Sequence, residues 1–94
     1  MTKLEVIDFY ADWCGPCKAM SPAIEALMEE YSADEGVEIR KSNVDSEPDL
    51  AKDFNVRGIP TLVFLKDGVE AYRVSGVQSK SKISEIIGEV LAAN

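Results

Sequence analysis

Two cysteines stand three residues apart in the run Trp13-Cys-Gly-Pro-Cys17, and the chain has no others. Sulfurs at this spacing can cycle between dithiol and disulfide, supply half a zinc site, or hold part of a cluster shared with a second chain. Both metal readings need further ligands, and the chain contains no histidine to provide them. The lack of histidine also removes the commonest general base and the Cys–His pair of thiol proteases. A purely structural disulfide closing so short a loop would constrain the unfolded chain very little. Redox exchange is the chemistry this spacing favours beside a β-α-β pattern.

The two sulfurs are expected to differ. Cys14 falls at or just before the start of a predicted helix, where free N–H groups and the positive end of the dipole favour a thiolate. The thiolate is the species that attacks a disulfide, so Cys14 is the candidate nucleophile. Cys17 lies one turn further on, on the face of Ile24 and Met28, and is expected to be the more buried sulfur and the resolving one. Gly15 allows the tight backbone turn between them, and Pro16 is tolerated in a first helical turn. Asp8 is the other unusual residue. Among Val6, Ile7 and Phe9 its carboxylate either ends a strand and faces water or is buried at a cost that raises its pKa.

The elements that must position these groups follow from periodicity. Val6–Tyr10, with Leu4 before it, is apolar on both faces, as a central parallel strand should be. From Cys14 to about Ser32 the period turns helical, with Cys17, Ile24, Leu27, Met28 and Tyr31 on one face. Val37–Val44 reads as a second strand. Ser46-Glu-Pro-Asp49 opens a short helix, with Ser46 as its cap. Thr61–Lys66 and Glu70–Ser75 are strands joined through Asp67-Gly68, a strong signal for an antiparallel hairpin. A last helix opens at Ser79 or Ser81 and carries Ile83, Ile86, Ile87, Val90 and Leu91 as an apolar stripe. The order β-α-β-α-β-β-α predicts an α/β fold: a four-stranded mixed sheet with three flanking helices.

Composition narrows the functions further. Ten basic residues against 17 acidic ones give a formal charge of −7, which discourages phosphate binding and excludes nucleic acid as the expected partner. No segment approaches the roughly 20 apolar residues of a membrane helix. Met-Thr-Lys-Leu-Glu-Val-Ile-Asp8 places acids where a signal peptide needs an apolar stretch, which predicts a cytoplasmic protein. With no repeat, linker or low-complexity tract, residues 1–94 read as one domain.

Phe9-Tyr-Ala-Asp-Trp-Cys-Gly-Pro-Cys-Lys18 resembles the active-site segment of the thioredoxin family. The similarity continues through Asn43-Val-Asp45, Gly58-Ile-Pro-Thr-Leu62 and Lys66-Asp-Gly68 to Gly76, and spans the chain from about Leu4 onward. The resemblance implies a thioredoxin-like fold and a protein-disulfide reductase working through a Cys14–Cys17 disulfide, with no bound cofactor and no metal. It implies that Asp8 is buried behind the sulfurs as the proton acceptor for Cys17, and that Lys41 tunes its charge. The residue-level alternative for Lys41, a solvated lysine on a strand, stands beside that. Pro60 is implied to follow a cis peptide bond, with the Ile59 backbone open to pair with an extended substrate segment. Trp13, Gly58, Ile59, Pro60, Gly76 and Val77 would form the substrate-binding rim; core packing is the alternative for Trp13, and its place directly before the exposed cysteine favours the surface role. The implied partners are thioredoxin reductase, or an equivalent reductant, and disulfide-containing proteins, met as a monomer.

Two departures from the family pattern stand out. The chain starts where longer members have already formed a strand and a helix, so Val37–Asn43 is expected at a sheet edge, its charges Glu38, Arg40 and Lys41 discouraging edge pairing. Tyr10 stands where many members have tryptophan. A glutaredoxin-like carrier reduced by glutathione is the alternative function, favoured by the short chain but not by Gly15-Pro16, nor by Gly76-Val77 where paired glycines are expected. A non-catalytic binding module is disfavoured by the intact cysteine pair. A secretory oxidase or isomerase is disfavoured by Pro16, where that class usually carries histidine.

Overall fold

The computed structural model describes residues 3–93. Its elements are β1 (Leu4–Tyr10), α1 (Gly15–Glu30), β2 (Val37–Asn43), α2 (Pro48–Asp53), β3 (Thr61–Lys66), β4 (Val69–Ser75) and α3 (Lys80–Ala92). The strands lie in the order β2-β1-β3-β4. β1 and β2 run parallel across the α1 crossover, while β3 is antiparallel to both β1 and β4. This is the mixed α/β sheet expected, with β2 at one edge.

Because a strand turns successive side chains to opposite faces, β1 feeds two cores. Leu4 and Val6, with Val37, Ile39, Leu62 and Phe64, pack on Met20, Ile24 and Leu27 of α1 and on Ile83, Ile86, Ile87 and Val90 of α3. Ile7 and Phe9, with Val63 and Leu65, fill the other face against Leu50, Ala51 and Phe54 of the α2 segment. Asp8 shares the parity of Leu4 and Val6. The pleat therefore turns it inward, and it is 2% exposed, which decides between the two possibilities for this residue.

Local signals explain the turns. Asp67 and Gly68 both take positive φ, 51° and 85°, the conformation a two-residue hairpin with right-handed strand twist requires. Ser79 caps α3, its hydroxyl accepting from the Lys82 N–H at 3.1 Å, so the helix opens there and not at Ser81. Two expectations fail. Glu47, not Ser46, occupies the position before α2 and makes no side-chain cap, since its carboxylate accepts from the Ser42 hydroxyl at 2.8 Å. Leu91 is 37% exposed and lies outside the core that takes the rest of its stripe.

That difference predicts two unequal truncations. Ile87→Ala, at a fully buried site, should cost about 2–5 kcal/mol of unfolding free energy. Leu91→Ala should cost less than about 1 kcal/mol. Urea denaturation of both variants is the check.

Candidate active site

β1 ends at Tyr10, and a short turn delivers Cys14 to the start of α1, its N–H donating to the Ala11 carbonyl at 3.2 Å. Cys14 is the residue preceding the helix, with extended backbone at φ −89° and ψ 110°. Its Sγ accepts a hydrogen bond from the Cys17 N–H at 3.2 Å. One of the free amides of a helix start is thus spent on a sulfur, where a serine or aspartate oxygen is usual. No acidic side chain lies in the first turn of α1 to oppose the positive end of the helix. Cys14 and Cys17 are joined as a disulfide, with their Cα atoms 5.3 Å apart. Gly15 and Pro16 between them are exposed.

The expected difference in burial is not found. Cys14 is 5% exposed and Cys17 6%. Both pack with Ala11 against Tyr10, Val44 and Ile59. Cys14 is covered from across the fold, its Sγ lying 3.9 Å from the Ile59 carbonyl oxygen. Helical spacing alone could not report that neighbour.

Two concavities flank the sulfurs. On one side Trp13, Val44, Ala51, Val56, Arg57, Gly58 and Ile59 line a groove of about 210 Å³. Trp13 is 69% exposed and so is not core; its indole N–H donates to Asp45 Oδ2 at 2.9 Å. The Ile59–Pro60 bond is cis. Pro60 is buried, and its carbonyl accepts from the N–H of Gly76, which sits at φ 88° where only glycine is at ease. Val77 is exposed but is not part of the groove wall.

On the other side a cavity of about 360 Å³ is lined by Tyr10, Ala11, Asp12, Cys17, Lys18, Ser21 and Lys41. Cys17 and Lys41 therefore share a wall. Asp8 does not reach that wall, but the β1–β2 register sets it beside Lys41. Burial pushes the Asp8 carboxyl up from 3.8 to about 6, with the Lys41 ammonium pulling the other way. Asp8 Oδ1 is buried and has no hydrogen-bond partner among the described residues. The sequence alone does not single out Ser21 and Arg57 at these walls, nor Asp45 as the partner of the Trp13 indole. Ser21 stands four residues after Cys17, a spacing that puts both on one side of a helix and could have drawn attention to it.

The thioredoxin family model matches residues 1–89. The chain belongs to the thioredoxin family. It is 43% identical over 88 residues to the thioredoxin of Chlamydia caviae, an alignment covering 94% of this chain and 83% of that one. It is 40% identical over 88 residues to the thioredoxin of Staphylococcus haemolyticus, with the same coverage of 94% and 83%. The crystal structure of Fasciola hepatica thioredoxin superposes with a TM-score of 0.82 at 41% identity, covering 93% of this chain and 80% of that chain. Thioredoxins are protein-disulfide oxidoreductases, and the Cys14–Cys17 pair at this helix start is the redox-active disulfide. Nothing in the geometry or the relatives favours the glutaredoxin-like alternative. Among the described residues no cluster of three or more His, Cys, Asp or Glu side chains could hold a metal, and no helix is long and apolar enough to cross a membrane.

Asp8 has a consequence for stability. Its folded pKa of about 6 lies above the 3.8 expected when unfolded. The stability its protonated form contributes is full below the lower value and is lost as pH rises through the upper one. Asp8→Asn cannot ionise, so near pH 8 it should exceed the parent in unfolding free energy by on the order of 3 kcal/mol, a gap that closes toward pH 4. Denaturation of the oxidised proteins across this pH range is the measurement.

Proposed function

We propose that the chain reduces protein disulfides with Cys14 as the attacking sulfur and Cys17 as the resolving one. The observation that carries this assignment is the Cys17 N–H directed at Cys14 Sγ, an amide at a helix start that favours negative charge on that sulfur. In the reduced protein the Cys14 thiolate attacks one sulfur of a target disulfide. A Cys14–target bond forms, the target's own S–S bond breaks, and the departing target sulfur takes up a proton. Cys17 then gives its proton to Asp8, directly or through water, and attacks Cys14 Sγ. The Cys14–Cys17 bond forms, the mixed disulfide breaks, and the second target sulfur leaves and is protonated. The target gains two electrons and two protons, and the chain is left oxidised.

Asp8 suits the acceptor role because a carboxyl with pKa of about 6 is mostly ionised at neutral pH and still basic enough to take a proton. Lys41 is proposed to tune that charge from the neighbouring strand. Gly15 and Pro16 shape the turn between the sulfurs. The substrate rim is assigned to Trp13, Gly58, Ile59, Pro60, Gly76 and Val77, where an extended target segment would pair with the Ile59 backbone. Thioredoxin reductase, or an equivalent reductant, would regenerate the dithiol, with no bound cofactor in this chain. A monomer in the cytoplasm, a compartment that keeps thiols reduced, is the setting we assign.

The order of attack has a direct readout. Cys17→Ser should lose steady-state turnover on a protein disulfide while accumulating a covalent mixed disulfide through Cys14, visible by mass spectrometry and cleared by dithiothreitol. Cys14→Ser should accumulate none. Trapping by Cys14→Ser in place of Cys17→Ser would reverse the assignment.

A further inference from the structure

Asp8 and Lys41 are neighbours in the parallel β1–β2 register and carry opposite charges. Among the described residues, however, no ion pair joins them, and Asp8 Oδ1 is left without a partner. The ammonium goes elsewhere. Lys41 Nζ donates to Ser21 Oγ at 3.1 Å and lies 4.7 Å from the centroid of the Tyr10 ring, over its face. Ser21 Oγ donates in turn to Glu25 Oε2 at 2.9 Å. A hydroxyl can accept from an ammonium and donate to a carboxylate at once, so the negative charge of Glu25 acts on Lys41 through one oxygen. The aromatic face of Tyr10 adds a second attraction on the same side.

We propose that Ser21, Glu25 and Tyr10 compete with Asp8 for the Lys41 ammonium and hold it off the carboxylate, so that Ser21 is a positioning residue for proton transfer from Cys17. The consequence for catalysis rests on the reading of Asp8 as proton acceptor; the competition itself does not. Were Lys41 to close on Asp8, the ion pair would stabilise the carboxylate and make it a weaker base. Held on the α1 side of the cavity, the ammonium leaves Asp8 able to take a proton and release it near neutral pH.

The charged and titratable side chains around this cavity are Lys41 from β2, Cys17, Lys18 and Glu25 from α1, and Tyr10 and Asp12 from the end of β1 and its turn. β3 sets Leu62 beside Asp8, and α3 packs Ile83, Ile86 and Ile87 on this face of the sheet. Lys41 is thus the cation whose placement Ser21 controls directly. Neutralising Glu25 also removes a negative charge from this side of the cavity, and the experiment must separate any direct effect on Asp8 from the release of Lys41.

The test follows the Asp8 carboxyl carbon by NMR through a pH titration of the oxidised protein. The Ser21→Ala/Glu25→Gln double variant should lower the Asp8 midpoint by roughly one pH unit as Lys41 is released toward it. Lys41→Met alone should raise the midpoint. Adding the double substitution to the Lys41→Met background should then move it little, and Ser21→Thr, which keeps the hydroxyl, should hold the parent value. A midpoint that stays or rises in the double variant overturns the proposal. So does a fall of equal size in the Lys41→Met background, which would be the direct effect of Glu25. The rate at which Cys17 resolves a preformed mixed disulfide, read against pH in the same variants, should follow the NMR midpoint. If the midpoint moves and that rate profile does not, the acceptor role of Asp8 fails and the competition for Lys41 stands.

Discussion

The chemistry depends on where one helix begins. α1 starts immediately after Cys14, so a backbone amide that would otherwise face water or a capping oxygen points at a sulfur. That placement needs β1 at the centre of the sheet, ending at Tyr10, and a turn short enough to put Cys14 at the boundary and Cys17 one turn inside. Burial does not distinguish the two sulfurs, since they are 5% and 6% exposed. The direction of the hydrogen bond does. An interaction of this kind is stronger to a thiolate than to a neutral sulfur, and so bears on which sulfur attacks and not on which is nearer to solvent.

The two faces of the sheet give the sulfur pair two different neighbourhoods. The groove beside Trp13 and Ile59 is open and lined largely by apolar groups, and its indole is pinned by Asp45. The cavity beside Cys17 carries the side chains of Asp12, Lys18, Ser21 and Lys41 in its wall, with Asp8 next to Lys41 in the β1–β2 register. Asp8 is set there by the two-residue period of β1, at a position where packing alone would ask for an apolar side chain. Its ionisation works against the fold while suiting proton transfer, a conflict between stability and activity that is common at functional sites.

Most of the architecture was legible because it is written in local patterns. Strand alternation, the stripe of α3 and the Asp67-Gly68 turn each specify an element without knowledge of its neighbours. What failed or was missed depends on contacts between distant segments. The cover over Cys14 comes from Ile59, 45 residues away. Asp45 meets Trp13 across 32 residues. The Lys41–Ser21 contact needs both the β1–β2 register and the seating of α1 before it can be seen. The cis bond at Pro60 was legible only through family resemblance, since composition gives no sign of it. Leu91 shows the remaining limit: it satisfies the helical period, yet it is 37% exposed and outside the core that takes its neighbour Val90.

The central claim is that the helix start, and not exposure, makes Cys14 the reactive sulfur. Brief treatment of the fully reduced protein with iodoacetamide near neutral pH, followed by peptide mapping, tests it most directly. The account predicts that Cys14 is alkylated first while Cys17 remains largely unmodified. Equal labelling of the two, as their equal burial alone would suggest, or preferential labelling of Cys17, would contradict it.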